Sequence, residues 1–181
     1  MRRSSVYDRK WILGGAYVAP QGTIVGTEAI IELPDGTYPA KLDDKGRLKL
    51  PVTFRRYFEK LSEKKLFVTS LDGRIGTIYP ISVWRANRNV LENVTDDPQA
   101  ADDVLLIANE LGADTEVDAQ GRVLIHPDLR RALGIENQPV KLVPIKGRID
   151  VYSEPVYEER RRQAMEELQQ KLLRLRSKGL K

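Results

Sequence analysis

Two short segments of the chain carry aspartate, glycine and arginine at the same spacing. The first reads Asp-Asp-Lys-Gly-Arg from position 43, and the second reads Asp-Ala-Gln-Gly-Arg from position 118. An aspartate in this place hydrogen-bonds the amides of its own turn, and the glycine takes a positive φ without a Cβ penalty. In the first segment Arg47 and Lys49 then alternate with Leu48 and Leu50, which gives the turn a basic side and an apolar side. A basic side is suited to binding an anionic partner.

Residue types that support catalysis are scarce. The 181 residues include no cysteine and one histidine, His126, which excludes a disulfide scaffold, thiolate catalysis and thiolate metal sites. No serine or second histidine lies near His126, so a structural or solvated role is predicted. Asp43 and Asp44 are adjacent and do not build an acid–base pair. Without a phosphate-binding glycine loop or a nucleophile elbow, the sequence predicts no catalytic residue, metal ligand or cofactor.

Charge is distributed unevenly along the chain. Residues 36–91 hold twelve basic and five acidic residues, and residues 92–118 hold nine acidic residues and no basic one. Residues 158–181 return to eight basic against four acidic residues. This pattern favours a polyanionic partner for particular faces. The alternative, that solvated faces carry mixed charge without a partner, stays open on charge alone.

The two segments belong to a longer internal repeat. Residues 43–56 match residues 118–131 at an offset of 75, with five of fourteen positions identical. A Gly-Arg-Ile triplet follows at position 73 and again at position 147, and Trp84 then matches Tyr157. Duplication of this kind indicates two related structural units.

Each unit predicts a β-hairpin, a short helix and a second β-hairpin. The predicted strands of the first unit are 38–42, 47–50, 66–69 and 76–79, with a helix from about Val52. In the second unit Pro127 and Gly134 bound the helix, and strands are predicted at 140–143 and 149–152. One unit of this size buries too little surface to be stable alone. The sequence therefore predicts an α+β fold in which both repeats form one compact β-rich core.

The paired turns, each followed by a short helix and a Gly-Arg-Ile hairpin, resemble the two SpoVT-AbrB-type repeats of the MraZ family. The resemblance covers Tyr38 to Tyr157, about two thirds of the chain. It implies a transcriptional regulator, expected to repress the division and cell-wall gene cluster, including its own gene. It also implies binding to repeated promoter sites on double-stranded DNA as a ring-like homo-oligomer, in the cytoplasm at the nucleoid.

The resemblance also implies which residues contact DNA. The family's D-x-x-x-R motif maps onto Asp43 and Arg47, and onto Asp118 and Arg122. Arginine presents a planar fork that matches O6 and N7 of guanine in the major groove. The predicted DNA-binding residues are Lys45, Gly46, Arg47, Arg55, Arg56, Gln120 and Arg122. The predicted turn-structuring residues are Asp43, Asp118 and Gly121. Because Gln120 stands where the first repeat has Lys45, we expect the first repeat to make the main contact.

Several of these side chains have a second interpretation. Arg55 and Arg56, like Arg130 and Arg131 in the other repeat, lie on the short helices, where they reach phosphates or instead pair with carboxylates. Trp84 and Tyr157 are expected to be core or interface anchors rather than base-stacking platforms.

The repeats divide the chain into five expected segments. These are an N-terminal extension (1–36), repeat 1 (37–84), an acidic connector (85–111), repeat 2 (112–157) and a C-terminal basic amphipathic helix (158–181). The last has a seam of Met165, Leu168, Leu172 and Leu175. In the extension, a strand is expected over 27–33 after a loose arm that is not expected to be a cleaved signal. Pro39 predicts an edge or a bulge in the first strand.

No membrane partner is expected, because the longest apolar run, Val104 to Ala108, is far shorter than the roughly 20 residues of a membrane-spanning helix. A second function stays open. An AbrB-type module of the antitoxin kind binds DNA weakly through its basic hairpins and another protein through its tail.

Overall fold

The computed structural model describes residues 33–61 and 64–181. Over this part of the chain the strands are β1 (Tyr38–Lys41), β2 (Arg47–Lys49), β3 (Lys65–Thr69), β4 (Gly76–Pro80), β5 (Ala113–Glu116), β6 (Arg122–Leu124), β7 (Pro139–Ile145) and β8 (Arg148–Ser153). The helices are α1 (Val52–Lys60), α2 (Ile81–Glu92), α3 (Pro98–Glu110), α4 (Pro127–Leu133), α5 (Glu154–Met165) and α6 (Leu168–Arg176). The α+β class predicted from the sequence is confirmed. The order β-β-α-β-β-α occurs twice, as a first half (β1 to α2) and a second half (β5 to α5).

Local sequence accounts for where the short helices begin and end. Helix α1 starts directly after Pro51 and buries Phe54, Tyr57 and Phe58, which lie on one face at helical spacing. Helix α4 has Pro127 at its first position and stops at Gly134, whose φ of 63° is left-handed. Each short helix thereby follows a charged turn at the same distance in its half.

The two halves share their sheets. A six-stranded antiparallel sheet has the order β1-β7-β8-β4-β3-β5, and β2 and β6 form a separate antiparallel ribbon. In the larger sheet β1 of the first half pairs with β7 of the second, and β3 of the first half pairs with β5 of the second. Neither half has a complete sheet of its own, so each half covers strand edges of the other.

The predicted hairpins are half right. The second hairpin of each unit is present, as β3 with β4 and as β7 with β8. In the first hairpin of each unit only the turn forms, closed by amide-to-carbonyl hydrogen bonds from Asp43 to Arg47 and from Asp118 to Arg122. The flanking strands pair elsewhere, because β1 and β2 pair with β7 and β6, and β5 and β6 pair with β3 and β2, while β1 and β2 share a single bridge between Leu42 and Leu48. Strands of three or four residues gain little from a local ladder. Pairing β2 with β6 places Leu48 opposite Val123, and both are completely buried.

The core lies between the two halves. Its main cluster includes Leu48 and Phe54 from the first half and Val123 and Leu129 from the second, all at most 1% exposed. A smaller cluster lies between the sheet and helix α2, where Trp84 stacks on Phe67 with ring centroids 4.4 Å apart. Trp84 is thus a core anchor, as expected.

Pro39 lies on β1, which is an edge strand of the larger sheet, so the first of its two predicted positions, an edge or a bulge, is confirmed. Proline lacks an amide to donate, and an edge position requires fewer donors. Tyr157, the repeat partner of Trp84, is half-buried on α5 and meets Tyr152 edge to face at 5.9 Å.

The continuous C-terminal helix predicted over 158–181 is wrong. The chain forms α5 and α6 with a break at Glu167, whose φ is 54°. Neither helix buries a residue, so no burial of apolar surface stabilises a single continuous helix. At the break, the Lys171 ammonium donates to the carbonyl oxygens of Glu166 and Gln163, which satisfies acceptors that the interruption leaves free.

Most of the N-terminal extension lies outside the described residues, including the strand expected over 27–33 apart from Leu33. Leu33 is half-buried and packs against the main core cluster. No helix of the described residues has the length and apolar character needed to span a membrane.

Candidate nucleic-acid interface

The two charged turns lie side by side because β2 and β6 pair. Lys49 is opposite Arg122, and Arg47 is opposite Leu124. The amide of Leu50 donates to the Gly121 carbonyl at 2.9 Å, and the amide of Ile125 donates to the Gly46 carbonyl at 3.0 Å. Each turn is thus hydrogen-bonded to the strand of the other half. We call this unit, residues 43–50 with 118–125, the paired-turn ribbon.

Asp43 organises the first turn through both carboxylate oxygens. Its Oδ1 accepts from the amides of Lys45 at 3.0 Å and Arg47 at 2.9 Å. Its Oδ2 accepts from Nε of Arg47 at 2.8 Å, and Nη2 of the same guanidinium lies 2.6 Å away. The carboxylate therefore fixes the turn and the orientation of Arg47 together.

Asp118 does the same in the second turn. Its Oδ1 accepts from the amides of Gln120 at 2.8 Å and Arg122 at 2.9 Å, and its Oδ2 accepts from Nε of Arg122 at 2.8 Å. Nη1 of Arg122 also lies 3.8 Å from Oδ2 of Asp43. The two aspartates and the two arginines thus form one charge cluster across the ribbon.

Hydrogen bonds within this cluster favour the ionised forms of Asp43, Arg47 and Asp118. The hydrogen bond from the Arg47 side chain is the largest influence on Asp43 and lowers the pKa of its carboxyl to about 2. The same hydrogen bond raises the pKa of the Arg47 guanidinium. For Asp118, the bond from the Arg122 amide is the largest of the influences that lower its pKa. The charges of the two aspartates and the two arginines therefore balance, and the ribbon keeps one net positive charge because Lys45 and Lys49 outnumber Asp44.

One face of the ribbon is apolar and buried, and the other carries the charge. Leu48 and Val123 point into the core, so Arg47, Lys49, Arg122 and Leu124 share the outer face. The side chains of Arg47 and Arg122 remain 28% and 20% exposed. The tips carry Lys45 in one turn and Gln120 in the other, and both residues are exposed. Four of the predicted contact residues, Lys45, Arg47, Gln120 and Arg122, thus lie together on one surface, whereas the predicted contact at Gly46 is wrong because Gly46 is buried against Arg130.

Arg55 and Arg130 pack behind the turns instead of facing outward from their helices. Each packs on the turn glycine of the opposite half: a Cβ on Gly46 would overlap the Arg130 guanidinium, and a Cβ on Gly121 would overlap Cδ of Arg55. Nη1 of Arg130 donates to the carbonyl of Ile125 at 3.3 Å. Arg130 also pairs with a carboxylate, as the second interpretation of the sequence expected, because its Nε lies 3.5 Å from Oε1 of Glu136. Nε of Arg55 is buried without a hydrogen-bond partner in the described chain. These arginines support the turns from behind.

Sequence reasoning missed this crossed contact, although a signal was present. Gly46 precedes Arg55 by nine residues, and Gly121 precedes Arg130 by nine residues. Both glycines have a φ of +74°, so their left-handed backbone and the crossing arginine each require the absence of a side chain.

The remaining predicted residues stay at the periphery. Arg56 is exposed on α1, and Arg131 is exposed on α4, where it pairs with Asp128. His126 precedes α4, and its Nδ1 is buried 3.6 Å from Oδ2 of Asp128. Within residues 33–61 and 64–181 no group of three or more histidine, aspartate or glutamate side chains is placed to hold a metal ion.

Comparison with known proteins gives relatives for this chain. It is 35% identical to the transcriptional regulator MraZ of Acidobacterium capsulatum over 105 residues. The aligned stretch covers 58% of this chain and 72% of that protein. It is 31% identical over 127 residues to MraZ of Caldanaerobacter subterraneus subsp. tengcongensis, with 68% and 83% covered. It is 30% identical over 135 residues to MraZ of Dechloromonas aromatica, with 74% and 90% covered. No protein-family model matches the chain.

The chain has an α+β fold with two interlocked halves and a paired-turn ribbon. Its relatives are transcriptional regulators, which is the class of protein they indicate for this chain. The identity and coverage of these relatives define the family. The chain belongs to the MraZ family.

Proposed function

We propose that this protein is a sequence-specific DNA-binding regulator that uses the paired-turn ribbon to read repeated promoter elements. It represses the division and cell-wall gene cluster, including its own gene, and acts as a ring-like homo-oligomer in the cytoplasm at the nucleoid. The observation that carries the proposal is the outer face of the ribbon, where Arg47 and Arg122 are held side by side with Lys45 and Lys49. The relatives named as transcriptional regulators support it.

We also infer that residues 37–84 and 112–157 are two SpoVT-AbrB-type repeats, with an acidic connector over 85–111. Support comes from the same order of elements in both halves and from the matching turns, in which Gly46 and Gly121 have the same φ. The pairing of β2 with β6 agrees with a duplicated unit, because the charged turn of each half needs a partner strand that the other half supplies.

The geometry suits base reading. The major groove is about 12 Å wide and admits a two-stranded ribbon. Asp43 holds Arg47 in one orientation, which lowers the rotamer entropy lost on binding, because long side chains otherwise lose about 0.5–1.5 kcal/mol each when immobilised. A bidentate contact from a guanidinium to guanine then discriminates by about 1–3 kcal/mol.

The first turn is expected to contribute more affinity than the second. Its outer face presents Lys45 and Lys49, where the second half has Gln120 and Leu124. Lysine contacts to phosphate release counterions and strengthen binding without reading sequence. The second turn then contributes Arg122 and stabilises the first through the shared ribbon.

The test compares wild type with Arg47→Ala on the duplex upstream of the protein's own gene and on a scrambled duplex, across a salt series. Wild type should prefer the promoter, and Arg47→Ala should lose about tenfold or more of that preference. Arg161→Ala is the matched control, because Arg161 is exposed on α5 and its one ion pair among the described residues is with Glu158. Its preference should equal that of wild type.

Equal binding of wild type and Arg47→Ala to both duplexes would contradict the proposal. In that case an AbrB-type protein-binding module of the antitoxin kind describes the chain better.

A further inference from the structure

Helix α6 is an amphipathic helix whose apolar residues stay largely exposed among the described residues. It buries no residue, and Leu168 and Leu175 are 37% and 49% exposed. These two leucines and the half-buried Leu172 recur at spacings of four and three, so they form one seam. A nine-residue helix is marginal by itself in water. Its apolar seam therefore needs another surface.

From Leu168 to the last residue, every charged side chain is basic. Residues 168–181 include five basic residues and no acidic one. Arg176 is the last residue of α6 next to Leu175, and Lys178 lies in the turn that follows the helix. Neither has a carboxylate within ion-pair distance among the described residues. The seam with its flanking cations, residues 168–181, is called the basic tail.

A surface of opposite character lies on α3. Leu106 is 64% exposed at the centre of the helix. Asp102, four residues before it, and Glu110, four residues after it, lie on the same face, with Asp103 beside them. In the described chain, neither Asp102 nor Glu110 has a cationic partner. We call this face the acidic helix surface; it belongs to the stretch 92–118, which has nine acidic residues and no basic one.

The two surfaces match in size as well as in charge. At a rise of about 1.5 Å per residue, the nine residues of α6 and the nine from Asp102 to Glu110 both span roughly 13 Å. An exposed leucine with carboxylates around it fits an apolar seam with cations around it. In the part of the chain that the structure describes, α6 buries none of its residues, and Asp102, Leu106 and Glu110 are exposed on α3, so both surfaces are open.

We propose that the basic tail of one copy docks on the acidic helix surface of a second copy. This contact is head to tail, because the two surfaces differ, and such contacts propagate from copy to copy until a ring closes. The proposal rests on the self-association included in the proposed function and names the surfaces that produce it. It also gives the acidic connector a role in assembly rather than in DNA binding.

Two charge-reversed proteins test the contact by light scattering after gel filtration and by sedimentation velocity. One carries Arg176→Glu with Lys178→Glu, and the other carries Asp102→Lys with Glu110→Lys. Each alone should associate at least about tenfold more weakly than wild type, because like charges then face each other. An equimolar mixture should regain association, since the reversed tail of one protein faces the reversed surface of the other.

The control carries Lys64→Glu with Arg161→Glu, which makes the same change in charge as the tail reversal at two exposed positions outside both surfaces. It should assemble like wild type. Unchanged mass in both reversed proteins would overturn the contact, and so would a mixture that does not reassemble, because a tail docked on its own chain is indifferent to mixing.

Failure of this contact and failure of the proposed function give different results. If wild type is oligomeric and the reversed proteins keep its mass, only the docking surfaces are wrong. If wild type is monomeric at all concentrations, the self-association in the proposed function is wrong and the contact with it. Promoter preference, measured in parallel with Arg47→Ala, tests DNA reading independently of assembly.

Discussion

The first and second charged turns have the same backbone conformation and hydrogen-bond pattern, but the side chains around them differ. In both, the aspartate Oδ1 accepts from two amides and Oδ2 accepts from the arginine Nε at 2.8 Å. The tips differ, with Lys45 in the first turn and Gln120 in the second. The crossing arginines differ too, since Gly46 meets the end of the Arg130 side chain and Gly121 meets the stem of Arg55. Aspartate and glycine thus set the shape of a turn, and the positions between them set its charge.

Gly121→Ala is expected to have the largest effect on stability. The left-handed backbone alone costs a residue with a Cβ about 1–2 kcal/mol. The new Cβ would also overlap Cδ of Arg55, which a small rotation of the guanidinium does not relieve. Gly46→Ala should cost less, because the overlapping Arg130 atoms are at the flexible end of that side chain. Urea unfolding at fixed protein concentration measures both differences.

Gly73→Ala is the matched control for backbone strain. Gly73 has a φ of +68°, and a Cβ built on it meets nothing within 4 Å. Its loss of stability therefore reports the left-handed conformation alone. Equal losses for Gly121→Ala and Gly73→Ala would show that the crossing arginine adds nothing, and the crossed support of the turns would be wrong.

Exchanging the tips is expected to have a smaller effect, on DNA affinity rather than on stability. Lys45→Gln should make the first tip like the second and reduce the slope of log affinity against log salt by about 1, as loss of one phosphate contact does. Gln120→Lys should increase the slope by a similar amount. Both residues are exposed, so unfolding should change little.

A salt series with promoter and scrambled duplexes checks this prediction. The change should appear on both duplexes, since phosphate contacts carry no sequence information. If Lys45→Gln leaves the slope unchanged while Gln120→Lys raises it, the first tip does not face phosphate, and the expected dominance of the first turn is wrong.

Much of the fold follows from local sequence, and the rest depends on contacts between distant residues. Pro127 and Gly134 mark the ends of α4, and the turn at Asp72 and Gly73 predicts the β3–β4 hairpin. The partner of β2 is not encoded locally. A strand of three residues has no register signal of its own. Its partner is chosen when Leu48 and Val123 are buried together, 75 residues apart in sequence.

The candidate site shows the same division. That Asp43 can bond the amides of its turn follows from the Asp-x-x-Gly spacing. The crossing of Arg130 onto Gly46 does not, because it requires the pairing of β2 with β6. The break at Glu167 was not predicted either, because the spacing of apolar residues from Met165 to Leu175 is that of a continuous helix. Neither α5 nor α6 buries a residue, so no packing energy stabilises the continuous form.

The smallest expected effect is on the pH dependence of the unfolding free energy, in which Asp43 and Asp118 should differ. The pKa of Asp43 in the folded protein is about 2, chiefly through the hydrogen bond from Arg47, whereas an aspartate in an unfolded chain titrates near 3.9. A lowered pKa means that the ionised carboxylate stabilises the folded state fully above about pH 5, and that this contribution is lost as pH falls toward 2. The gap in unfolding free energy between wild type and Asp43→Asn should therefore be constant from pH 7 to about pH 5 and narrow below it. Asp118→Asn should show the same direction with a smaller change, because the neutral amide of Arg122 is the largest influence on the pKa of Asp118, whereas the charged side chain of Arg47 is the largest influence on that of Asp43. Urea unfolding of the three proteins across this pH range decides it: a gap that widens toward low pH would mean that Asp43 is not held by Arg47 as described.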